Sequence, residues 1–399
     1  MKLPDILYTI SNQLNKIGGK AIVVGGCVRD YFLNLQSKDY DIEVYGLTNL
    51  DELENILQQF GQVNLVGKSF GVLKFSHNNE QYDFSFARTE SKISDGHKGF
   101  KVELHSDITY KEGAKRRDFT INSIGYDIQK KTFLDPYGGI DDIKQSVLKY
   151  VNKDSFIEDP LRVYRAVQFC ARFRFDLDND TFILCKNMVA NNLLKQLPKE
   201  RIYDEIKKLL LKSDKPSIGF NMILKMGIVK HLSPLEYLVK NNLWDKTINA
   251  LDIAKSLLDS NAKNQLKLLF AILCRNFTEE QTKEFLSNLT NEVKLINSIL
   301  PLIKYYPKVN VLYNNANNYD IKKLATKVNI QELVIVAYSD SLNYKAKEWL
   351  LNKAKKLGVQ NKPLKPLVTG DDLIQLGLKP SSLFKTILDD LYDMQLKDY

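Results

Sequence analysis

The sequence predicts an α+β protein in which an N-terminal α/β unit is followed by helices to the C-terminus. Three observations carry this. Apolar runs and alternating segments of strand length recur through the first 140 residues. From about residue 141 onward apolar positions recur at helical spacing. Between positions 140 and 357 glycine occurs only as Gly219 and Gly227, which suits long helices because glycine destabilises their interiors.

Taken in order, residues 1–17 place Ile6, Ile10, Leu14 and Ile17 at helical spacing, and Gly18-Gly19 ends that helix. Ala21 to Val24 is an apolar run that fits a buried strand and leads directly into Gly25-Gly26. Asp41 to Tyr45 alternates, with Ile42 and Val44 on one face, while Val72 to Ser76 and Tyr82 to Phe86 read as further strands. Downstream, residues 201–210 typify the helical pattern. There is neither a short internal repeat nor a low-complexity tract.

At 399 residues the chain has room for two to four domains of roughly 150 residues each. Its 44% hydrophobic content is enough for real cores. A net charge of +9 suits a polyanionic partner such as nucleic acid. Cys27, Cys170, Cys185 and Cys274 lie far apart without a Cys-x-x-Cys pair, which argues against a disulfide framework or a zinc ribbon. His77, His97, His105 and His231 are equally scattered, so a histidine metal site is poorly supported. The N-terminus lacks the apolar core of a signal peptide, and no run of about 18 apolar residues exists to span a bilayer. The expectation is a reduced cytoplasmic protein.

The chemistry concentrates in a few segments. Gly25-Gly26-Cys27-Val28-Arg29-Asp30 is followed closely by Lys38-Asp39-Tyr40-Asp41. Glycines after a buried strand let backbone N–H groups approach phosphates with no Cβ in the way, and Arg29 can fork onto phosphate oxygens. Carboxylates at i and i+2 of a strand share a face, so Asp39 and Asp41 can ligate the same pair of metals. Magnesium takes few protein carboxylates together with substrate phosphates, and two ions about 4 Å apart can activate a hydroxyl and stabilise a leaving pyrophosphate. Alone, a Gly-Gly pair is usually a turn and an Asp-x-Asp a solvated strand edge; in this order within 17 residues the combination is far more specific.

Three more segments follow. Arg116-Arg117-Asp118-Phe119-Thr120-Ile121-Asn122 gathers two cations, an acid and an amide. Asp135-Pro136-Tyr137-Gly138-Gly139-Ile140-Asp141-Asp142 is a turn opening into a helix. In Glu158-Asp159-Pro160-Leu161-Arg162-Val163-Tyr164-Arg165, the residues Asp159, Arg162 and Arg165 would form a polar stripe at i, i+3 and i+6 of a helix. An acid beside an arginine can present an acceptor and donors to the Watson–Crick edge of a base.

Together these segments resemble the motifs of class II tRNA nucleotidyltransferases, the CCA-adding enzymes, which share ancestry with bacterial poly(A) polymerases. The resemblance covers residues 20–210, and the tail segments 368–373 and 376–380 also look like the end of that family. It implies a polymerase-beta-like nucleotidyltransferase head with a mixed sheet over residues 1–140. A helical neck (141–210) would select the nucleotide, ahead of a helical body (211–300) and a helical tail (301–399) that binds tRNA. It further implies CTP, ATP and the tRNA acceptor arm and 3′ end as partners, with Mg²⁺ as cofactor.

Residue by residue, the resemblance makes Asp39 and Asp41 metal ligands and Asp83 a third catalytic carboxylate. Gly25, Gly26 and Arg29 would take the triphosphate. Arg117 and Asp118, with Asn122 beside them, would contact the phosphates and sugar. Asp159 and Arg162 would template the incoming base, and Arg165 continues that face. Gln168 departs from the pattern, since many relatives carry arginine there.

Members limited to CC addition lack part of a loop ahead of the Arg-Arg-Asp motif. Here 28 residues separate Arg88 from Arg117, so full CCA addition is favoured, with A-adding, CC-adding and poly(A)-adding activities as alternatives. Residues 243–250 through 269–275 faintly resemble an HD phosphohydrolase domain. Cys274-Arg275 replaces its His-Asp pair, so no HD-type metal site is expected and Cys274 reads as a core residue. Two rival classes fit less well. A non-catalytic RNA-binding module would have no need of both Asp39 and Asp41, and a dinucleotide-binding oxidoreductase would need a Gly-x-Gly-x-x-Gly turn.

Overall fold

The computed structural model describes residues 1–399 except 38, 65–70, 93–99, 105–106, 260–263 and 399, and gives backbone alone for residues 88–92 and 100–104. Residues 94–99, in the loop whose length favours full CCA addition, lie outside the described residues. The chain forms two compact units: residues 1–205 with 222–228, and residues 206–221 with 229–399.

The first unit opens with α1 (Asp5–Lys16), which buries Leu7, Ile10 and Leu14. Strand β1 (Lys20–Val24) runs into α2 (Gly26–Phe32), and β2 (Tyr40–Tyr45) leads to α3 (Leu50–Gln58). Next come β3 (Gln62–Asn64), β4 (Val72–His77) and β5 (Glu80–Phe86), then a separate hairpin of β6 (Arg88–Lys92) and β7 (Phe100–Leu104). After α4 (Tyr110–Ala114) a 3₁₀ turn at Thr120–Asn122 precedes β8 (Gly125–Asp127), β9 (Thr132–Leu134) and α5 (Gly139–Gln145).

The sheet is mixed, in the order β3-β4-β5-β2-β1-β8-β9, and only its β2–β5 pair is parallel. The parallel register sets Tyr40 against Tyr82 and Asp41 against Asp83. Residues opposite each other in a parallel pair share a face, so the stacked Tyr40 and Tyr82 rings mark one face and the two aspartates the other. Ile42, Val44, Phe84 and Phe86 are fully buried apolar anchors of these two strands.

The unit continues through β10 (Val147–Leu148), α6 (Lys153–Glu158), α7 (Leu161–Phe173), β11 (Asp176–Leu177), α8 (Asn179–Ala190) and the start of α9 (Lys199–Lys212). Helix α7 buries Val163, Tyr164, Ala166, Val167, Cys170 and Ala171, and Phe119 packs edge-on against Phe156 and Phe169.

The described residues of the second unit form helices and their connections. Helices Trp244–Leu257, Gln265–Cys274, Val293–Tyr305 and Ile330–Ser341 pack on one another. Residues 268–274 of the second of these are buried all round, as expected of a central helix. Cys274 is a core residue, and the buried Arg275 beside it donates to Asp340 (2.9 Å) and to the Ile272 and Lys246 carbonyls (2.8 and 3.1 Å). Among the described residues no helix is long and apolar enough to cross a membrane.

One glycine ties the sheet to the motif segments. Asp135 accepts from the Gly139 and Ile140 N–H groups (2.7 and 2.9 Å), which starts α5 against the Thr120–Asn122 turn. A Cβ on Gly139 would meet the Thr120 carbonyl oxygen at 2.2 Å. Gly139→Ala should therefore cost about 1–3 kcal/mol, the usual range for overpacking. Urea unfolding of the two proteins measures this, and an unchanged midpoint would mean the turn moves freely.

Candidate active site

The glycine turn and the carboxylates are brought together by strand pairing. Val24 at the end of β1 pairs with Asp41, so the turn that follows lies beside Asp41. Gly25 adopts φ 75°, ψ −138°, a conformation almost confined to glycine. A Cβ there would also lie 3.2 Å from Asp41 Oδ2 and 3.7 Å from an Arg117 nitrogen. Glycine is thus favoured by its backbone angle and by the close approach of the Asp41 carboxylate.

Asp39 departs from expectation. Strand β2 begins at Tyr40, so Asp39 stands one residue outside it and is exposed. The reason is local: β1 ends at Val24 opposite Asp41, and the β5 register begins at Tyr40, leaving Asp39 without a strand partner. The charges still converge. Burial raises the Asp41 pKa above its ordinary value, and Asp83, Asp39 and Glu43 add to this while Arg117 opposes it. Lys74 stands 3.9 Å from Asp83 as a half-exposed partner.

Glu43 was not singled out from the sequence, although it continues the i, i+2 row of Asp39 and Asp41. Its buried carboxylate accepts from Arg116 (2.6 Å), Arg117 (2.7 Å) and the Tyr45 hydroxyl (2.9 Å). Burial disfavours its ionised form, but the Arg117 and Arg116 guanidiniums and the Tyr45 hydroxyl hold the carboxyl below its usual range. One buried anion facing two cations leaves a surplus positive charge, and Arg117 spends it on the neighbouring Asp41.

Asp118 is the other buried carboxylate. One oxygen accepts from the Asn122 amide (2.9 Å) and the Phe119 N–H (2.8 Å), and the other from Arg165 (2.7 and 2.6 Å). Asn122 in turn accepts from Arg29 at 2.7 Å, and Arg29 also grips Asp30 at 2.9 and 2.6 Å. The structure therefore places the Arg29 guanidinium against protein partners, with one nitrogen 3.5 Å from where a Cβ on Gly26 would lie.

The expected stripe of Asp159, Arg162 and Arg165 is broken at its first member. Proline disfavours helical angles in the residue before it, and Asp159 is extended (φ −118°, ψ 95°) while α7 begins at Leu161. Asp159 caps the Leu161 N–H (3.2 Å) and receives both terminal nitrogens of Arg201 (3.2 and 3.0 Å). Arg162 donates to the Ser155 and Arg116 carbonyls (2.7 and 2.5 Å), whereas Arg165 turns to Asp118. Arg201 was missed because only the return of α9 brings it to Asp159. Gln168 is buried, and its amide nitrogen has no acceptor among the described residues.

Among the described residues no three His, Cys, Asp or Glu side chains stand together as a metal cluster. Asp39 and Asp41, with Asp83 nearby, still match the hard oxygen donors that magnesium takes alongside phosphate oxygens. Burial and, after it, the neighbouring carboxylates disfavour the ionised form of Asp41, a condition that a divalent cation relieves.

A mixed sheet that carries Asp41, Glu43 and Asp83 on one face beside a glycine turn, with Asp39 just outside the strand, defines a nucleotidyltransferase head. Residues 21–149 match the family described as poly A polymerase head domain, and residues 174–236 match the probable RNA and SrmB binding site of polymerase A. The chain is 32% identical over 339 residues to the CCA-adding enzyme of Blochmanniella floridana, covering 77% of each. It is 34% identical over 272 residues to the multifunctional CCA protein of Haemophilus ducreyi, spanning 65% of this chain and 63% of that protein. The fold superposes on the Bacillus stearothermophilus CCA-adding enzyme in complex with CTP, with a TM-score of 0.78, 23% identity, and 100% and 94% of the two chains covered. The chain belongs to the class II tRNA nucleotidyltransferases, the family of CCA-adding enzymes.

The buried carboxylate of Asp118 gives the site a pH signature. Burial alone would raise its pKa, yet Arg165, Arg162 and the Asn122 amide hold it below the ordinary 3.8. A depressed carboxylate contributes stability that is fully present above its unfolded value and is lost as pH falls through the folded one. The stability gap between the wild type and Asp118→Asn should therefore be widest above about pH 4 and narrow in stronger acid. Urea unfolding at several pH values measures it, and a gap independent of pH would remove the ionic role of Asp118.

Proposed function

We propose that the chain adds C, C and A to the 3′ end of tRNA from CTP and ATP, without a nucleic-acid template and with release of pyrophosphate. The observation that supports this most is the convergence of Asp39, Asp41 and Asp83 beside the Gly25 turn, in a unit that also holds Asp159 and Arg162. Solved enzymes with the same fold have been captured with ATP, with CTP and with tRNA. Residues 1–140 act as the head and 141–210 as the nucleotide-selecting neck. Residues 211–300 form a body without hydrolase chemistry, and 301–399 a tail that holds the tRNA in the cytoplasm.

Magnesium bound by Asp39 and Asp41 would promote loss of the proton from the tRNA 3′ hydroxyl and neutralise the triphosphate. The protein's own contribution is position and charge. Gly25 and Gly26 admit the phosphates close to the backbone, and Arg117, held by Glu43, places a fixed cation beside Asp41. Arg201 aims the Asp159 carboxylate, and the Ser155 and Arg116 carbonyls aim Arg162 while leaving it further N–H donors for a base. C and A both carry an exocyclic amino group that can donate to Asp159. U and G carry a carbonyl there, which sets acceptor against acceptor.

Asp39→Ala and Asp41→Ala should each abolish magnesium-dependent incorporation while the protein keeps its melting temperature within a few degrees. Near-normal turnover in the double variant would sink the assignment. Asp159→Ala should lower C-over-U and A-over-G selection roughly tenfold to hundredfold, since an unpaired buried polar group costs about 1–3 kcal/mol. Single-turnover rates with all four nucleotides, on tRNA lacking its terminal CCA, give the ratios. Unchanged ratios would place selection elsewhere.

A further inference from the structure

We propose that Phe169 and Phe173 of α7 are positioning residues for the triphosphate, holding the Arg29 guanidinium, and through it the glycine turn, against the nucleotide-selecting helix. The inference rests on the functional reading above.

The Arg29 side chain is only 6% exposed, and each of its three nitrogens donates to Asp30 or Asn122. Its guanidinium carbon lies 5.3 Å from the Phe169 ring centroid and 4.8 Å from that of Phe173. A cation shielded from water gains more from an aromatic face than an exposed one does. The two rings are nearly parallel (12°), with centroids 5.6 Å apart, and each also carries a second cation. Arg165 stands 5.1 Å from the Phe169 centroid and Arg172 4.8 Å from that of Phe173.

The contacts close a circuit. Arg29 donates to Asn122, Asn122 donates to Asp118, Asp118 accepts from Arg165, and Arg165 and Arg29 both lie against Phe169. Three segments far apart in sequence thus meet at the Phe169 ring, which Phe119 also touches, with Phe173 against the same Arg29. Leucine in place of Phe169 and Phe173 would keep the site apolar but remove the face on which Arg29 rests. Arg29 would keep its bonds to Asp30 and Asn122 but lose the ring faces that fix its guanidinium from the side, and the Gly25-Gly26 turn would lose that part of its support.

The test uses the full-length chain with magnesium and inorganic tripolyphosphate as the probe, read by calorimetric titration, for Phe169→Leu, Phe173→Leu, the double leucine variant and the double tyrosine variant. The double leucine variant should bind tripolyphosphate about tenfold to thirtyfold more weakly, in keeping with cation–π contacts away from water. The tyrosine variant, which keeps both ring faces, should stay within about twofold of the wild type. KM for CTP and ATP should rise in the same proportion in the leucine variants, with the C-over-U ratio unchanged. Each single leucine variant should show a smaller loss of the same kind, which keeps the test open if the double variant does not fold. Wild-type affinity in folded leucine variants would overturn the proposal, as would equal losses in the leucine and tyrosine variants. A wild type that binds tripolyphosphate but extends no tRNA would fault the functional reading instead, and the binding series would still decide the role of the rings.

Discussion

The site depends first on the buried Asp118 carboxylate. Arg165 of α7 and Asn122 of the 3₁₀ turn both end on it, and Asn122 passes the connection to Arg29 below the glycine turn. Removing one partner from such a set leaves a buried charge or amide unpaired, which costs more than the intact pair gains. The segments that carry the chemistry are thereby coupled through one anion.

Glu43 plays the corresponding part on the other side of the site. It neutralises one of two adjacent arginines and leaves Arg117 to face Asp41. Alternating charges of this kind let four carboxylates and several guanidiniums share a small volume. Asp41 keeps a raised pKa, through burial first and then the neighbouring carboxylates, although Arg117 opposes the shift, and it lies against the glycine turn.

Charged side chains proposed to meet a nucleotide need a second set behind them to hold their direction. Asp159 has Arg201, Arg162 has the Ser155 and Arg116 carbonyls, and Arg117 has Glu43. Each supporting contact restricts a long side chain before substrate binds, so less conformational entropy is lost on binding.

Much of this was legible in the sequence. Strand and helix periods placed β1, β2, β4 and β5 and the helical remainder, because burial of apolar side chains follows the local period of the backbone. The motif order exposed Asp39, Asp41, Asp118, Asp159 and the arginines. What the sequence did not determine was which charges meet. Asp41 lies opposite Asp83 because a parallel register joins strands 42 residues apart. Arg201 reaches Asp159 across an interval of equal length, and Arg29 meets Asn122 across 93 residues. Asp159 left the expected helical stripe through the local effect of Pro160, which the sequence did contain, but its ion pair with Arg201 could not be read there. Local periodicity records which side of an element faces the core. The pairing of buried charges depends on separations that close only when the chain is folded, so that part belonged to the tertiary structure alone.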